Sequence, residues 1–371
     1  MRQSFAEILK SVENGRARKM SGKIPAWAGN ADIDIPSDLC LEQCSSQETA
    51  EYKASLIGSP AVLADLTGGL GADSWAFSKR AGRVLYFERN SELAEAARSN
   101  FAALGIDNIT VTCAESDARL IASIPRPDWI YLDPARRDSA GRKVFLLEDC
   151  TPDVTELLPA IWERTDNLMI KLSPMADISL IAGQLGCRLK EVHVVGAEGE
   201  AKELLCILSA THDGGYTITA ALPGTGTEPF TFRPEEEAGA TFRQGCPEKG
   251  GYLLEPCATL LKSGAFKLAC SRFGIGKLAA FTHLYCSSEP VFSPFFKTYR
   301  ILDTADLGNA SAKRFSKDFP QADVTARNIP MTSEQLRVKL KCAPSNDGTH
   351  IFGCTAGLTR MLIACRRISS I

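Results

Sequence analysis

The chain has 371 residues, of which 44% are hydrophobic and 23% charged, and its formal net charge is −2. This length exceeds one ordinary domain, and the composition excludes a disordered or fibrous protein. The N-terminus lacks the apolar core of a signal peptide, and no apolar run is long enough to span a bilayer. We therefore expect a cytoplasmic protein with no membrane partner.

The thirteen cysteines are expected to be reduced thiols in a cytoplasm. None of them forms a Cys-x-x-Cys pair, Cys40 and Cys44 are four residues apart, and the four histidines are scattered. This pattern favours small buried hydrophobic side chains over metal ligands, so we expect no metal.

The charges are distributed unevenly along the chain. Residues 56–251 carry 19 basic and 28 acidic side chains, whereas residues 252–371 carry 16 basic and 8 acidic ones. A basic C-terminal third favours an anionic partner. A solvated basic surface explains the same counts, and charge alone does not separate the two.

Helical spacing predicts a first helix over residues 2–14 and a second from about Cys40 to Leu56. An irregular segment with two prolines and one glycine, residues 23–39, separates them. This N-terminal region has too few apolar residues for a core of its own. We expect a helical extension that packs on the next domain.

Strand and helix patterns alternate from Pro60 to Ser209, which predicts a doubly wound α/β sheet with helices on both faces. Only residues 196–202 separate the last two strands, so no crossover helix fits and they should form an antiparallel hairpin. The predicted strands are residues 62–66, 83–87, 109–113, 128–132, 167–172, 190–196 and 203–209. The predicted helices are residues 73–80, 91–104, 117–123, 152–163 and 176–186.

The stretch around which the chain is organised joins the first two strands. A strand ends at Asp65, the turn Thr67-Gly68-Gly69-Leu70-Gly71 follows, and a helical pattern begins. Glycines let the backbone approach a ligand and present open amides. Glu88 ends the second strand, where a carboxylate can accept both hydroxyls of a ribose. Together they indicate a pocket for an adenosine-bearing cofactor, the alternatives being a ligand-free turn and a surface acid.

The fourth predicted strand runs into Asp133-Pro134-Ala135-Arg136-Arg137. Asp133 is placed to accept a hydrogen bond from an amine nucleophile, and Pro134 fixes the backbone so that a carbonyl points inward. An ordinary Asp-Pro turn does not explain why the motif falls at a strand end. Lys171, at the end of the fifth strand, is predicted to contact the substrate or to pair with Asp133.

The glycine turn, Glu88, the Asp-Pro motif and the terminal hairpin resemble the class I methyltransferases that use S-adenosylmethionine, across roughly residues 60–210. The resemblance implies a Rossmann-like seven-stranded sheet with S-adenosylmethionine as cofactor. A nicotinamide oxidoreductase fits less well, because its six-stranded sheet is all parallel.

The resemblance also implies roles for single residues. Asp65 would hold the cofactor's ammonium group, directly or through water, while the turn containing Thr67, Gly68, Gly69 and Gly71 would approach its carboxypropyl and ribose portions. An acid after the third strand would hydrogen-bond the adenine amino group. Asp117 fits this role best and Glu115 is possible, but Asp117 acting as a helix N-cap would look much the same.

In this family, enzymes that methylate nitrogen atoms or nucleic-acid bases often have a motif that begins Asp-Pro or Asn-Pro. The second proline and aromatic residue of the adenine-N6 and guanine-N2 enzymes are replaced here by Ala135 and Arg136. Asp-Pro-Ala-Arg is closer to the uridine-C5 methyltransferases of RNA, but residues 168–175 lack the cysteine nucleophile that C5 chemistry needs. Arg136 and Arg137 either clamp a phosphate or face solvent.

Residues 211–251 are predicted to form short strands around a linker, and residues 252–371 a separate, smaller α+β domain that opens with an amphipathic stretch from Ala258 to Leu268. Thr332-Ser333-Glu334-Gln335 matches a capping box and opens a helix over 333–341. Predicted strands are residues 281–286, 295–302, 323–327, 349–354 and 359–366.

Thr282-His283-Leu284-Tyr285, Arg327-Asn328-Ile329-Pro330 and residues 336–341 resemble a THUMP-like domain that follows a methyltransferase domain in a family of bacterial proteins. THUMP domains bind RNA, so the resemblance implies an RNA substrate, tRNA or rRNA. Arg337, Lys339 and Lys341 would then contact phosphates, which position the substrate without reading its sequence.

The sequence thus predicts an S-adenosylmethionine-dependent methyltransferase acting on a base nitrogen of RNA. The expected parts are a helical extension (1–56), a methyltransferase domain (57–212), a linker with a small β segment (213–251) and a THUMP-like domain (252–371). One alternative is an enzyme of the same fold acting on a protein or small molecule. Another is a binding module without turnover.

Overall fold

The structure is a computed structural model that describes residues 15–136 and 147–368. The chain divides into two compact units. The first unit ends at Thr217 but does not include Glu198–Ala201. Those residues belong to the second unit, together with Ile218 and the residues that follow it. The helix expected over residues 2–14 lies outside the described residues, and the four-part division of the chain stays a prediction.

The first unit begins with helices and continues as an alternating α/β arrangement, as its apolar patterns predicted. Its strands are β1 (Val62–Asp65), β2 (Arg83–Glu88), β3 (Ile109–Cys113), β4 (Trp129–Leu132), the short β5 (Ala135–Arg136) and β6 (Cys150–Thr151), β7 (Asn167–Leu172), β8 (Leu189–Ala197) and β9 (Glu200–Ser209). Its helices are α1 (residues 15–23), α2 (Asp38–Gln43), α3 (Gln47–Leu56), α4 (Ala72–Ser78), α5 (Ser91–Ala103), α6 (Ala118–Ser123), α7 (Val154–Trp162) and α8 (Ile178–Leu185).

The first unit contributes seven strands to its sheet, in the order β3-β2-β1-β4-β7-β9-β8. Strands β1, β2, β3, β4 and β7 run parallel to one another, whereas β9 runs antiparallel to β7 with Ser209 opposite Asn167. This order confirms the predicted terminal hairpin. The carboxyl ends of the parallel strands lie at one edge of the sheet, where ligands of doubly wound folds bind.

The single helix predicted from Cys40 to Leu56 is wrong, because the chain forms α2 and α3 with a break between them. The Ser46 hydroxyl accepts a hydrogen bond from the Thr49 amide at 3.3 Å, which makes Ser46 the N-cap of α3. Serine side chains compete with helical backbone bonds, so the Ser45-Ser46 pair starts a new helix instead of continuing the old one.

The N-terminal extension packs on the sheet, as expected from its low apolar content. Trp27 is fully buried, and its ring lies edge-on to that of Trp75 on α4 with 6.1 Å between centroids. Met20, Ile24 and Leu41 join the same hydrophobic cluster as the strand residues of the sheet. The extension is therefore part of the first unit and shares its core.

The second unit has a mixed sheet and helices that fill its two hydrophobic clusters. Its strands are β10 (Thr217–Ala221), β11 (Phe230–Phe232), β12 (Tyr252–Pro256), β13 (Gly276–Ala279), β14 (Thr282–Ser287), β15 (Phe296–Asp306), β16 (Asp323–Arg327), β17 (Thr349–Ala356) and β18 (Thr359–Arg367). Its helices are α9 (Pro234–Gly239), α10 (Ala258–Ser263), α11 (Leu268–Phe273), α12 (Asn309–Asp318) and α13 (Ser333–Leu340).

Seven of these strands form a sheet in the order β13-β14-β12-β15-β18-β17-β16, in which β16 and β17 pair in parallel. The capping box of α13 is confirmed: the Gln335 amide donates to the Thr332 hydroxyl, and the Thr332 amide donates to the Gln335 side chain. The amphipathic stretch from Ala258 is two helices, because Gly264 adopts a left-handed conformation after α10. Helix α12 and strand β13 were not predicted.

Among residues 15–136 and 147–368, no helix is both long and apolar enough to cross a bilayer.

Candidate active site

A cavity of about 940 Å³ lies at the carboxyl ends of the parallel strands of the first unit. The glycine turn, the end of β2 and the start of α5 form one part of its wall. The end of β4, the end of β7 and the N-terminal extension form another part. The cavity thus brings together residues that were predicted separately, and it lies within the size range of small-molecule sites.

The glycine turn after β1 is held close to β2. The Gly68 amide donates to the Phe87 carbonyl at 2.8 Å, and a Cβ at Gly68 would lie 2.0 Å from the Tyr86 ring. Gly71, the N-cap of α4, has φ +93, and a Cβ there would lie 2.6 Å from the Phe101 ring. The turn therefore requires glycine at both positions, as the sequence suggested.

Glu88 lies at the end of β2 and faces the glycine turn. One carboxylate oxygen accepts the Gly69 amide at 2.9 Å, and the other accepts the Asn90 amide at 2.8 Å. A carboxylate offers about four acceptor sites, so two stay available to a ligand in the cavity. Glu88 is thereby fixed in orientation by two backbone amides.

Asp65 lies behind the turn and is fully buried. Its carboxylate accepts the Thr67 amide at 3.0 Å and the Ser74 hydroxyl at 2.6 Å. Burial raises the pKa of Asp65 to about 7, although both hydrogen bonds oppose that rise. Leu66 and Thr67 line the cavity, whereas Asp65 is not among the described residues of its wall. The Asp65 side chain therefore supports the glycine turn from behind.

The loop after β3 contributes a different acid from the one favoured on sequence. Glu115 and Ser116 line the cavity, and the Ser116 hydroxyl donates to the Leu66 carbonyl at 2.6 Å. Asp117 is the N-cap of α6 and accepts the Leu120 amide at 2.7 Å. Asp117 therefore caps α6 and is absent from the described wall of the cavity, while its role toward adenine stays a prediction.

Asp133 and Lys171 form an ion pair at the cavity wall, with 2.6 Å between Oδ2 and Nζ. The Asp133 side chain is 35% exposed and that of Lys171 is 14% exposed. The Asp133 amide donates to the Thr67 hydroxyl at 2.6 Å, which ties the Asp-Pro loop to the glycine turn. Pro134 lines the cavity beside them. The pairing that the sequence left open is therefore formed.

Behind this pair lies a buried group of charges. Lys53 on α3 is fully buried and donates to both oxygens of Glu203, at 2.8 and 2.9 Å. It also lies 3.2 Å from Asp73 of α4. Asp73 accepts the Tyr131 hydroxyl at 2.7 Å and the Ser45 hydroxyl at 3.0 Å. The charges are paired inside the protein, as burial requires.

The neighbouring charges determine how these groups titrate. Burial opposes the ionised form of Lys171, but Asp133, Glu203 and Asp73 outweigh it and raise the pKa of Lys171 above its ordinary value. Burial likewise opposes ionisation of Asp73, while Lys53 and Lys171 hold its pKa below the usual range. The cavity therefore presents a permanent ammonium group beside the carboxylate of Asp133.

Two cysteines of the extension, Cys40 and Cys44, also line the cavity. Burial raises the pKa of the Cys44 thiol to about 11, so it is protonated near neutral pH and a poor nucleophile. Throughout the described part of the chain, no three histidine, cysteine or acidic side chains are grouped as metal ligands.

The remaining predicted residues are spread over the chain. Arg136 ends β5, while Arg137 lies outside the described residues. In the second unit, Arg337, Lys339 and Lys341 are exposed on or directly after α13. Arg337 forms a two-point ion pair with Glu334, at 2.9 and 2.6 Å.

Sequence reasoning missed Lys53, Asp73 and Glu203. Lys53 had a detectable signal: it lies on the face of α3 that also carries Thr49, Ala50 and Ala54, and a lysine on an otherwise apolar or small face needs a buried partner. Asp73 resembled an ordinary acid in the first turn of a helix. Its partner from another segment was not visible in the sequence.

A protein of Porphyromonas gingivalis W83, described as a candidate methyltransferase, has a solved structure that resembles this one over most of its length. The two chains are 34% identical, the match covers 95% of this chain and 88% of the other, and the TM-score is 0.83. The chain belongs to this methyltransferase family. Its first unit is a class I methyltransferase sheet with a terminal antiparallel hairpin and a helical N-terminal extension, followed by a smaller α+β domain.

Other comparisons cover less of this methyltransferase-family chain. A family model described as a ferredoxin-like domain matches residues 252–293. A Streptococcus mutans candidate methyltransferase in complex with SAH is 13% identical, with 43% of this chain and 94% of that chain covered at a TM-score of 0.33. TrmK of M. capricolum, also with SAH, is 12% identical, with 44% and 69% covered at a TM-score of 0.35. The search of curated proteins returned no match.

Proposed function

We propose that the protein transfers a methyl group from S-adenosylmethionine to a base nitrogen of RNA. The observation that carries the proposal is one cavity whose wall contains both the glycine turn with Glu88 and the Asp133–Lys171 pair. The first set suits a cofactor and the second set suits the group that accepts the methyl. The Thr67–Asp133 hydrogen bond holds the two sets next to each other.

The residues present fit S-adenosylmethionine. A Cβ at Gly68 or Gly71 would collide with Tyr86 or Phe101, so the turn keeps a backbone surface free of side chains. Glu88 retains acceptor sites for ribose hydroxyls, and Glu115 or Asp117 would accept the adenine amino group. Asp65, fully buried behind the turn, would reach the ammonium group only through water. When bound, the cofactor supplies a methyl group already activated by a sulfonium.

The protein's own task is to position the acceptor. Asp133 would accept a hydrogen bond from the N–H of the acceptor and so fix the direction of its lone pair. Lys171 would donate to a neighbouring carbonyl or ring nitrogen while holding Asp133 in place. Alignment of this kind provides most of the acceleration in a displacement at an activated methyl.

The RNA part of the proposal is supported by the excess of basic side chains in residues 252–371. Arg337, Lys339 and Lys341 would contact phosphates, and Arg337 would exchange Glu334 for a phosphate in doing so. Arg136 and Arg137, which the sequence offered as a phosphate clamp, would contact further phosphates.

The test has two steps. Calorimetry with S-adenosylmethionine, with NAD as control, examines the cofactor, and transfer of a tritiated methyl into total RNA of the host examines the acceptor. We expect binding and labelled RNA. Label only in protein or small molecules would overturn the RNA proposal, and absence of cofactor binding would overturn the whole proposal.

A triple variant tests RNA binding by the second unit. Replacing Arg337, Lys339 and Lys341 by glutamate should weaken tRNA binding and reduce the slope of log affinity against log salt by roughly two to three. Replacing three exposed basic residues of the first unit, Arg80, Arg98 and Lys190, by glutamate changes the net charge equally and serves as the control. Equal effects from both triple variants would show a general charge effect and contradict a binding role for α13.

A further inference from the structure

The N-terminal extension contributes more than packing, because part of it faces the cavity. Cys40 and Gln43 of α2, with Cys44 and Ser45 after it, line the wall. Cys44 is close enough to Lys171 and Asp73 for their charges to affect its ionisation. The extension therefore borders the end of the cavity that contains the Asp133–Lys171 pair.

The extension is also connected to that pair through buried charges. Lys53 of α3 lies between Asp73 and Glu203, and its third contact is a hydrogen bond to the Ser45 hydroxyl at 2.9 Å. The three donors of the ammonium group thus face protein oxygens, and all of these partners are buried. Because Lys53 is not exposed to solvent, water would not replace a lost partner.

Glu203 links Lys53 to the cavity wall. The Lys171 Nζ lies 2.6 Å from Asp133 and 3.9 Å from Glu203. Lys171 therefore has two carboxylates within reach, and it bonds to Asp133 while Lys53 bonds to Glu203. Coulomb energies in a buried site change strongly over such distances.

The charge balance makes Lys53 essential to this arrangement. Three carboxylates (Asp73, Glu203 and Asp133) face two ammonium groups (Lys53 and Lys171). Without Lys53, the buried Asp73 and Glu203 would lose their closest cation, and Lys171, 3.9 Å from Glu203, is the ammonium group next in reach. Lys171 would then move toward Glu203 and away from Asp133.

We propose that the N-terminal extension forms one wall of the acceptor-binding part of the cavity, and that Lys53 is a positioning residue that keeps Lys171 on Asp133. This inference rests on the proposed function, since it concerns the acceptor of the same cavity. The acceptor class that fits is a planar group with an N–H next to a hydrogen-bond acceptor, because the wall presents a carboxylate next to an ammonium group. Amino-substituted and lactam edges of nucleic-acid bases have this pattern.

The test compares Lys53→Met with Lys53→Arg and with the double variant Lys53→Met/Glu203→Gln. Lys53→Met should lower the kcat of tritiated methyl transfer into total host RNA by about 10- to 100-fold, as expected for a displaced acceptor site. The Kd of S-adenosylmethionine should stay within about threefold, because the glycine turn is untouched. The double variant removes one buried anion together with the cation and should recover most of the kcat, and Lys53→Arg part of it.

The matched control is Lys79→Met. Lys79, the C-cap of α4, pairs with Glu51 of α3 at 2.7 Å, so it joins the same two helices as Lys53 does, but at the surface and outside the described wall of the cavity. We expect wild-type kcat from this variant. An equal loss in both lysine variants would show that any pairing between α3 and α4 matters, and would overturn the positioning role.

A crystal structure of Lys53→Met gives a readout that does not depend on turnover. We expect the Lys171 Nζ within hydrogen-bond distance of Glu203 and separated from Asp133. An unchanged Lys171–Asp133 pair, or a wild-type kcat, would overturn the inference, as would a loss of S-adenosylmethionine affinity equal to the loss of kcat.

If the wild type binds S-adenosylmethionine and labels no RNA, the proposed function fails by itself, and the position of Lys171 still decides this inference. If Lys53→Met does not fold, the double variant decides: it must fold and place Lys171 on Asp133.

Discussion

Each unit of the protein has a lysine whose ammonium group is largely removed from solvent, Lys171 in the first and Lys277 in the second, and the two have opposite surroundings. Lys171 in the first unit lies among the carboxylates of Asp133, Glu203 and Asp73, which raise its pKa. Lys277 in the second unit donates to three backbone carbonyls, of Ala279, Ala280 and Thr282, at 2.7 to 2.9 Å. Burial lowers the pKa of Lys277 to about 8.

The comparison of Lys171 with Lys277 shows that hydrogen bonds to an ammonium group do not by themselves compensate its charge. Three carbonyls satisfy all three donors of an ammonium group, yet each carries only a partial charge. Desolvation therefore favours the neutral form of Lys277, whereas full negative charges keep Lys171 ionised. A buried lysine surrounded by acids suits a site that must keep its charge, while one surrounded by carbonyls suits the closing of a turn, here between β13 and β14.

The largest expected difference between the two lysines concerns methyl transfer. Lys171→Met should lower kcat by about 100-fold or more, because Asp133 loses its partner and the acceptor loses a donor. Lys277→Met should leave kcat within about twofold, since it lies in the other unit. Single-turnover transfer of a tritiated methyl at saturating S-adenosylmethionine measures both. A comparable loss in Lys277→Met would show that the second unit's fold limits the reaction.

A smaller effect is expected at Glu88, the carboxylate that is held by backbone amides in the way that Lys277 is held by carbonyls. Glu88→Gln keeps the shape but replaces one carboxylate oxygen by an NH₂ group, which would face either the Gly69 or the Asn90 amide, a donor against a donor. The Kd of S-adenosylmethionine should rise about 10-fold or more, in line with hydrogen bonds to charged groups. Calorimetry measures this change. An unchanged Kd would mean that Glu88 only supports the turn.

The adenine contact is decided by a pair of variants in the same assay. If Glu115 accepts the adenine amino group, Glu115→Gln should weaken S-adenosylmethionine binding while Asp117→Ala lowers thermal stability alone, through loss of the α6 cap. A weaker affinity in Asp117→Ala, with the protein still folded, would support the role that the resemblance implied for Asp117.

The smallest effect expected is the pH dependence of unfolding that Lys277 contributes. Its folded-state pKa, about 8, lies below the ordinary value of 10.5. Between these values the unfolded chain binds more protons, so this group makes the free energy of unfolding rise with pH from about 8 to about 10.5. The wild type should gain about 2 kcal/mol over that range relative to Lys277→Met. Denaturant titrations of both proteins at pH 7.5 and pH 10 measure it, and parallel pH dependences would contradict it.

Much of the first unit was predictable because its signals are local. The strand and helix positions from Val62 to Ser209 agree with the predictions to within a few residues, since apolar periodicity and glycine turns are properties of short segments. The terminal hairpin followed from a connection too short for a helix. Glu88 and the Asp-Pro motif were placed correctly because the ends of parallel strands meet at one edge.

The sequence by itself therefore determined the class I methyltransferase sheet and the strand ends where the cavity lies. Only the tertiary structure decided that Asp65 lies behind the turn, that Asp133 bonds to Lys171, and that the N-terminal extension lines the cavity. Lys53 and Glu203 are 150 positions apart in the chain. Such a pair has no periodicity or spacing that marks it, because its energy arises when folding removes both charges from water and leaves each as the other's partner.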